Sequence, residues 1–578
     1  MAGTREIITL QFGHYSNFVG THVWNIQENS FVYDPKAAKG PKELNHDVLF
    51  REGLTLHGEV TYTPRLVAFD LKGSLNTLKQ EGTLYDLQYA EDKLQWPSDV
   101  TLHQVGVPQK NAFLRDLDRQ QEEYLRGKSE ESSQGDEEKT SEEMDTGEGT
   151  SSEDSPQVFG PAKLYNLDDS VKVWSDFLKP HLHPRSVTIL RDYEHESECN
   201  PFNVYGQGKQ VLTNKRFRDE IEDRIHFFTE ECDHLQGFNI LADTYNGFGG
   251  FTSSILEELA DDYSNKGILS FGLMPAVLQY SSATEESYQL INSALSWEQL
   301  AHHSSLFVPL SLNKTPFDTS VAVQHFDHLN YNSSLHYHTS AILGACLDTL
   351  TLPFRLDTGP VAMTDVTDIL SFQGRKVASL GVSLPFPLLE NGSLANTLMA
   401  AGDMSPWKPV TPYSDNTTLP FAQTIVGRGV LPDKVQGTID PNAPKLLKDC
   451  STADEVLGLY LAEMFPNCIS SVKVLQSPCQ VTAPYPHMFS RNISSDGYVS
   501  QKNRSDSMGV NSVPVMTSLQ STPTSAKCVQ ALLKETKKLN ISKYNKFLEA
   551  GLEQDDYKEC LNSLETLQEN YVVDMSFS

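Results

Sequence analysis

The sequence predicts an α/β protein built on a mostly parallel sheet covered by helices on both faces. Two observations predict it. Short apolar runs alternate with helix-periodic stretches from Arg5 to Leu310, the pattern of repeated βα units. One of those runs, Phe238–Leu241, enters a turn with three glycines, Gly247, Gly249 and Gly250, and the helix formers Ile255, Leu256, Glu257, Glu258 and Leu259 follow at once.

Ile7, Thr9 and Gln11 alternate with Ile8, Leu10 and Phe12 as a strand, and Asn17–Ile26 reads as a helix. Arg65–Phe69 is a buried strand. Gln121–Pro156 differs in kind. It holds 13 acidic and 3 basic residues and almost no large apolar side chains, so it is expected to be a disordered surface insertion. Ser133, Thr140 and Ser151 each precede an acidic residue by three positions. That suits acidophilic kinases, but a plain solvated loop accounts for it better. Pro161–Leu190 resumes the fold with a helix over Ser170–Phe177 and a strand over Ser186–Leu190. Phe217–Cys232 is an amphipathic helix with Ile221, Ile225 and Phe228 on one side. Gly267–Leu273 is a strand, Asn292–His302 a helix and Ser305–Leu310 a strand. After Pro309 the character shifts. Tyr337–Thr351 is a helix of small and apolar residues, with strands near Ala378–Leu384 and Ala422–Val426. Asp433–Gln520, rich in Pro, Ser and Asn, is expected to hold long loops, and a helical pair with its turn inside Leu539–Asp556 ends the chain.

A strand, a glycine turn and a helix start point backbone N–H groups and the positive end of a helix at a phosphate. Glycine permits the close approach and the positive φ that such a turn can need. Alone the signal is weak, because glycine turns also join strands to helices with no ligand.

Its surroundings strengthen it. Cys232, Asp233, Leu235, Gln236, Gly237 and Phe238, then Gly250, Phe251, Thr252 and Ser253, resemble the CDxLQGF and GFTS parts of the tubulin superfamily's glycine-loop region. The loop between them is one residue shorter than the family loop and lacks its central Thr and Ser. Gly13, Asn17, Gly20 and Trp24 are similar to the family's first phosphate-contacting loop, with His14 and Ser16 replacing its Gln and second Gly. Pro64, Arg65, Asp70 and Leu71 resemble its PRxxxxDLE strand end, with Lys72 in place of Glu. Asn203 and Gly208 fit part of a third loop, Asn292 and Leu295 a helix motif, and Arg428 and Gly429 a strand end. Within the superfamily the stretches YTPRLVAFDLKGSL, VWSDFLKPHLHPRS and PYPHMFS resemble the Misato branch. The resemblance spans nearly the whole chain. It implies a tubulin-like fold: a Rossmann-type nucleotide domain over 1–310, a smaller α+β domain over 311–520 with long loops, and a C-terminal helical layer over 521–578.

Composition sets bounds. The 578 residues are 39% hydrophobic, enough for a packed core, and carry a net charge of −30. That charge argues against a nucleic-acid partner and disfavours plain electrostatic docking on anionic lipid. No run approaches the roughly 20 apolar residues of a membrane helix, and the first residues look like neither a signal nor a transit peptide. Eight scattered cysteines without a CxxC pair read as reduced cytosolic thiols, and Cys232 as a small buried side chain. Sequons such as Asn391 and Asn540 read as chance.

The resemblance implies that a GTP or GDP site would use Gly13, His14, Asn17, Asp70, Asn203, Gly247, Gly249 and Gly250. Losing two loop hydroxyls removes contacts of roughly 1.5–3 kcal/mol each, about a hundredfold or more in affinity together. Lys72 either takes the place of the magnesium as a phosphate counter-charge or lies on the surface. The family's guanine-contacting Asn falls on Leu312, with Asn313 beside it. The loop that supplies an acid to a neighbour's nucleotide matches Gly359–Asp368, with Asp365 or Asp368 as stand-ins. A helix start capped by Thr364 or Asp365 is the simpler reading. No catalytic residue and no metal site is assigned: no Cys joins His325, His328, His336 and His338, and the seven-residue gap among them, with its Asn and Ser, fits a loop. His14 is placed facing the nucleotide and His22 on the helix surface.

What the resemblance implies for function is a non-polymerising regulatory protein with a degenerate GTP site. It would be cytoplasmic and peripheral at the mitochondrial outer membrane, where it would control mitochondrial distribution, morphology and fusion. Its partners would be mitochondrial outer-membrane proteins, with tubulin or the chaperonin as further partners. The competing readings are an active GTPase switch and a factor for microtubule and spindle assembly.

Overall fold

The computed structural model describes residues 5–31, 42–54, 60–80, 108–133, 163–278, 282–318, 320–402, 405–415, 417–436, 447, 449–505 and 507–572. Its first half is a six-stranded, wholly parallel sheet. In chain order come β1 (Ile7–Phe12), α1 (His14–Glu28), a hairpin of β2 (Phe50–Leu54) and β3 (Val60–Pro64), β4 (Leu66–Lys72) and α2 (Ala112–Ser133). Then follow β5 (Val187–Glu194), α3 (Tyr205–Val211), α4 (Lys215–Glu230), β6 (Gly237–Asp243), α5 (Phe248–Asp262), β7 (Gly267–Leu273), α6 (Ala283–His303) and β8 (Leu306–Leu310). The sheet order is β5-β4-β1-β6-β7-β8. From β1 the chain continues to β4 on one side, and β6 pairs on the other, so a topological switch lies at β1. In open α/β sheets ligands bind at such a switch, beyond the carboxyl ends of the strands.

The apolar strands are buried on both faces, and successive side chains feed opposite cores. Ile7, Leu66 and Ala68 join the core under α1, whereas Leu10, Phe12, Val67 and Phe69 join the core under α4, α5 and α6. The helix α7 (His336–Leu350) is buried along nearly its whole length. Its apolar circumference is what a helix between two layers requires. Beyond it come α8 (Met363–Leu370) and a five-stranded mixed sheet of β9 (Ser379–Ser383), β10 (Lys408–Pro409), β11 (Ala422–Arg428), β12 (Ile469–Leu475) and the Val515–Ser521 strand. The last helices, Ser525–Thr536 and Gln554–Glu569, lie against α6, where Cys560 Sγ donates to Ala294 O (3.5 Å), and against each other, where Tyr557 Oη donates to Thr536 O (3.0 Å).

Three expectations need correction. The acidic stretch expected to be disordered begins as helix, because α2 runs through Ser133; residues 134–156 lie outside the described residues. The helix expected over Ser170–Phe177 is only a 3-10 turn, Trp174–Phe177, shaped by the Asp176 carboxylate accepting from Lys172 N and Val173 N. Within Asp433–Gln520 lie a helix over Ala453–Met464, started by a Thr452–Glu455 capping box, and β12 beside it, and the described residues of 481–511 form neither helix nor strand. The N-cap of α8 is Ala362, with no side-chain cap; Thr364 and Asp365 follow it inside the first turn.

Candidate functional site

The strands β1, β4 and β6 end together, with Phe12 opposite Phe69 on one side and Ala242 on the other. That register gathers Gly13, Asp70 and Asp243 at one sheet edge. Gly13 is the only residue between β1 and α1, and its φ of +108° makes the turn. This is the left-handed region that glycine tolerates.

The first amides of α1 have no partner inside the helix. They donate to Asp243 instead: Tyr15 N to Oδ2 (3.1 Å), and Ser16 N and Ser16 Oγ to Oδ1 (2.8 and 2.7 Å). Tyr245 Oη adds a longer contact to Oδ2 (3.4 Å). A Cβ on Gly13 would lie 2.4 Å from Asp243 Oδ2, so the glycine also makes room for the carboxylate. Asp243 is wholly buried. Burial raises its pKa to about 7, against the lowering effect of its Ser16 and Tyr15 donors.

Asp70 is saturated in the same way. Its Oδ2 accepts from His14 Nδ1 (3.1 Å), Asn17 Nδ2 (3.2 Å) and Trp174 Nε1 (2.8 Å), and its Oδ1 from Leu71 N (2.8 Å). Burial opposes its charge, but His14, the Leu71 amide and His195 hold the carboxyl below its ordinary value. The His14 ring lies on that of His195, 3.8 Å between centroids. His336 packs against Tyr15 and Phe18, and burial, then His14 and His195, lower its pKa to about 4.

The glycine turn has a different basis from the one expected. Gly247 is in the right-handed helical region, φ −62°, and none of the three glycines has a positive φ. What they provide is space. A Cβ on Gly247 would lie 2.9 Å from the Phe202 ring, one on Gly249 1.9 Å from Ser296 Oγ, and one on Gly250 1.9 Å from Tyr205 O. Helices α3 and α6 therefore press directly on the start of α5. Asn246 Oδ1 accepts from Phe248 N (2.9 Å) at that start. Asn292 ties the loops together: its Oδ1 accepts from Tyr205 N (2.8 Å), and its Nδ2 donates to Asn203 O and Tyr245 O (2.8 and 3.0 Å). Asn203 thus stands beside the turn, through its backbone.

The remaining candidates separate. Lys72 is exposed and pairs with Glu194 (2.7 Å). Leu312 is buried in the core, and Asn313 Oδ1 shapes a turn by accepting from Thr315 N and Ala322 N. Asp365 and Asp368 are exposed. His325 lies near Asp327, His328 near Asn492 and His338 against Asp168; among the described residues no group of His, Cys, Asp or Glu could hold a metal ion. His22, expected on the surface, is buried: it packs on Phe177 and its Nε2 contacts Tyr337 O (3.0 Å). Burial lowers its pKa to about 3. Cys232 is half-buried, and burial raises its thiol to about 11, an unreactive state.

Sequence reasoning missed Asp243, Trp174 and His195. The available signal for Asp243 was a carboxylate ending an otherwise apolar strand, FNILAD.

A family model described as the Misato Segment II tubulin-like domain matches residues 5–119, and one described as the tubulin domain matches residues 164–356. The chain is 38% identical to Protein misato homolog 1 of Homo sapiens over 572 residues, 98% of each chain. It is 37% identical to Protein misato homolog 1 of Danio rerio, over 98% of this chain and 97% of that one. Protein misato of Drosophila melanogaster is 29% identical over 98% of both.

Proposed function

Because the chain belongs to the Misato family of tubulin-like proteins, we propose that it is a non-polymerising regulatory protein with a degenerate GTP site, controlling mitochondrial distribution, morphology and fusion. The observation that carries the degenerate reading is Asp243. Its carboxylate takes the amides of α1 that a phosphate would need. A triphosphate there would have to displace that carboxyl from its donors, and would be repelled by it in a buried setting wherever Asp243 is ionised. The metal side supports the same reading. Asp70 is shared among four donors, and Lys72 faces Glu194 rather than the site. The residues present do not fit a bound magnesium triphosphate, and no hydrolytic step is assigned.

The mitochondrial role rests on the family resemblance. Among the described residues no helix is long and apolar enough to cross a membrane, which favours recruitment to the outer surface through a protein receptor. Equilibrium binding of labelled GTP and GDP with magnesium tests the site. We expect no binding at micromolar nucleotide and no phosphate release; micromolar binding with release would make the chain a GTPase switch. Copurification of tubulin or chaperonin subunits without mitochondria would favour an assembly-factor role instead.

A further inference from the structure

We propose that the buried space between α1, the parallel sheet and α7 is a binding site for ordered water, and that this water carries the hydrogen bonds by which the second half of α1 is seated on the sheet. The inference does not depend on whether the chain binds a nucleotide.

In a strand covered on both faces, apolar side chains are the rule. The polar exceptions within β1, Thr9 and Gln11, share the face of Ile7, which joins the core under α1. Register sets Asn239 of β6 opposite Thr9, so the polar positions of two central strands meet on the face that α1 covers. The helix brings polar groups of its own. Gly20, Trp24 and Gln27 recur at helical spacing along one side of α1. Gly20 makes room for the strand's amide, since a Cβ there would lie 1.9 Å from Gln11 Nε2.

Gln11, Trp24, Gln27 and Asn239 are all buried. Five of their polar atoms have no hydrogen-bond partner among the described residues: Gln11 Nε2, Trp24 Nε1, Gln27 Nε2, Gln27 Oε1 and Asn239 Oδ1. Buried polar groups are nearly always paired, with protein or with ordered water, and an unpaired one is costly. These four side chains line one cavity, in which the centres of water molecules have about 30 Å³. A water needs roughly 10–15 Å³ by that measure and two to four polar partners, so about two waters fit. The orphan set suits them: the three nitrogens donate, the two oxygens accept, and water does both. The volume is too small for a metabolite. Leu49, Phe271 and Leu347 complete the wall. An apolar wall alone would leave the space dry; the five orphan atoms decide for water. Leu347 belongs to α7, so the site also sits where α1 and α7 meet.

The test uses the full chain as wild type and as the double variant Gln27→Leu, Asn239→Val, which removes three of the five orphan atoms. Oxygen-17 magnetic relaxation dispersion counts the waters held inside each protein for longer than it tumbles. The count should fall by about two in the variant. Crystals of the wild type pressurised with xenon locate the effect. Water density should lie within hydrogen-bonding distance of Gln27 and Asn239, and no xenon should enter, because xenon seeks dry apolar space. If the double variant does not fold, Gln27→Leu alone is read, with a loss of at least one water. An unchanged count in a folded variant would overturn the inference. So would xenon in the wild-type cavity, density too large for water, or the four side chains bonded directly to one another.

Discussion

Gly249→Ala should destabilise the chain, and Ser296→Ala should restore much of the loss. The added Cβ would sit 1.9 Å from Ser296 Oγ, but the next atom, Ser296 Cβ, is 3.0 Å away. Overpacking a rigid contact costs about 1–3 kcal/mol, partly offset by the gain of about 0.5–1 kcal/mol that Ala brings over Gly inside a helix. Ser296→Ala alone removes a hydroxyl bonded to the carbonyl of Asn292 in its own helix (2.6 Å), a loss of about 1 kcal/mol or less. Because deleting that oxygen relieves most of the overlap, the two changes should couple by about 1–2 kcal/mol in a double-mutant cycle, well beyond the few tenths expected for independent sites. Urea or guanidinium denaturation of the four proteins gives the values. Additive changes, or a neutral Gly249→Ala, would refute the packing account and return the glycine to a role in close approach to a ligand.

Stability should also depend on pH through Asp243. Its folded pKa, about 7, lies above the ordinary value of 3.8, so the contribution is complete below about pH 4 and is lost as pH rises to about 7. The wild type should therefore lose of order 3–4 kcal/mol relative to Asp243→Asn across that window, measured by denaturation at each pH. Asp348→Ala should cost about 3–5 kcal/mol, because it leaves the buried guanidinium groups of Arg355 and Arg428 without their carboxylate; a loss under about 1 kcal/mol would show that the pairing is dispensable. Lys72→Glu, which restores the family carboxylate, should confer no binding of magnesium GTP, since the side chain is exposed beside Glu194. Its stability change should stay within about 1 kcal/mol.

Periodicity made the scaffold legible. The runs at Ile7–Phe12, Gly237–Asp243 and Gly267–Leu273 are apolar on both faces, which is what a doubly covered parallel strand requires. The site was less legible, because its residues meet across the sheet rather than along the chain. Gly13, Asn17 and Asp70 could be named from local motifs. Their actual partners, His195, Trp174 and Asp243, have no fixed spacing from them.

By itself the sequence determined the α/β class, the family and the place where β1, β4 and β6 would present their ends. Local propensity and the spacing of apolar residues encode such features directly. Only the tertiary structure decided what fills that place. Register sets Asp243 under the amides of α1, and helix packing makes Gly247, Gly249 and Gly250 a matter of volume rather than backbone angle. The same burial turns His22 into a neutral core residue. Each depends on which surfaces come within a few ångströms of each other, and no stretch of chain carries that information alone.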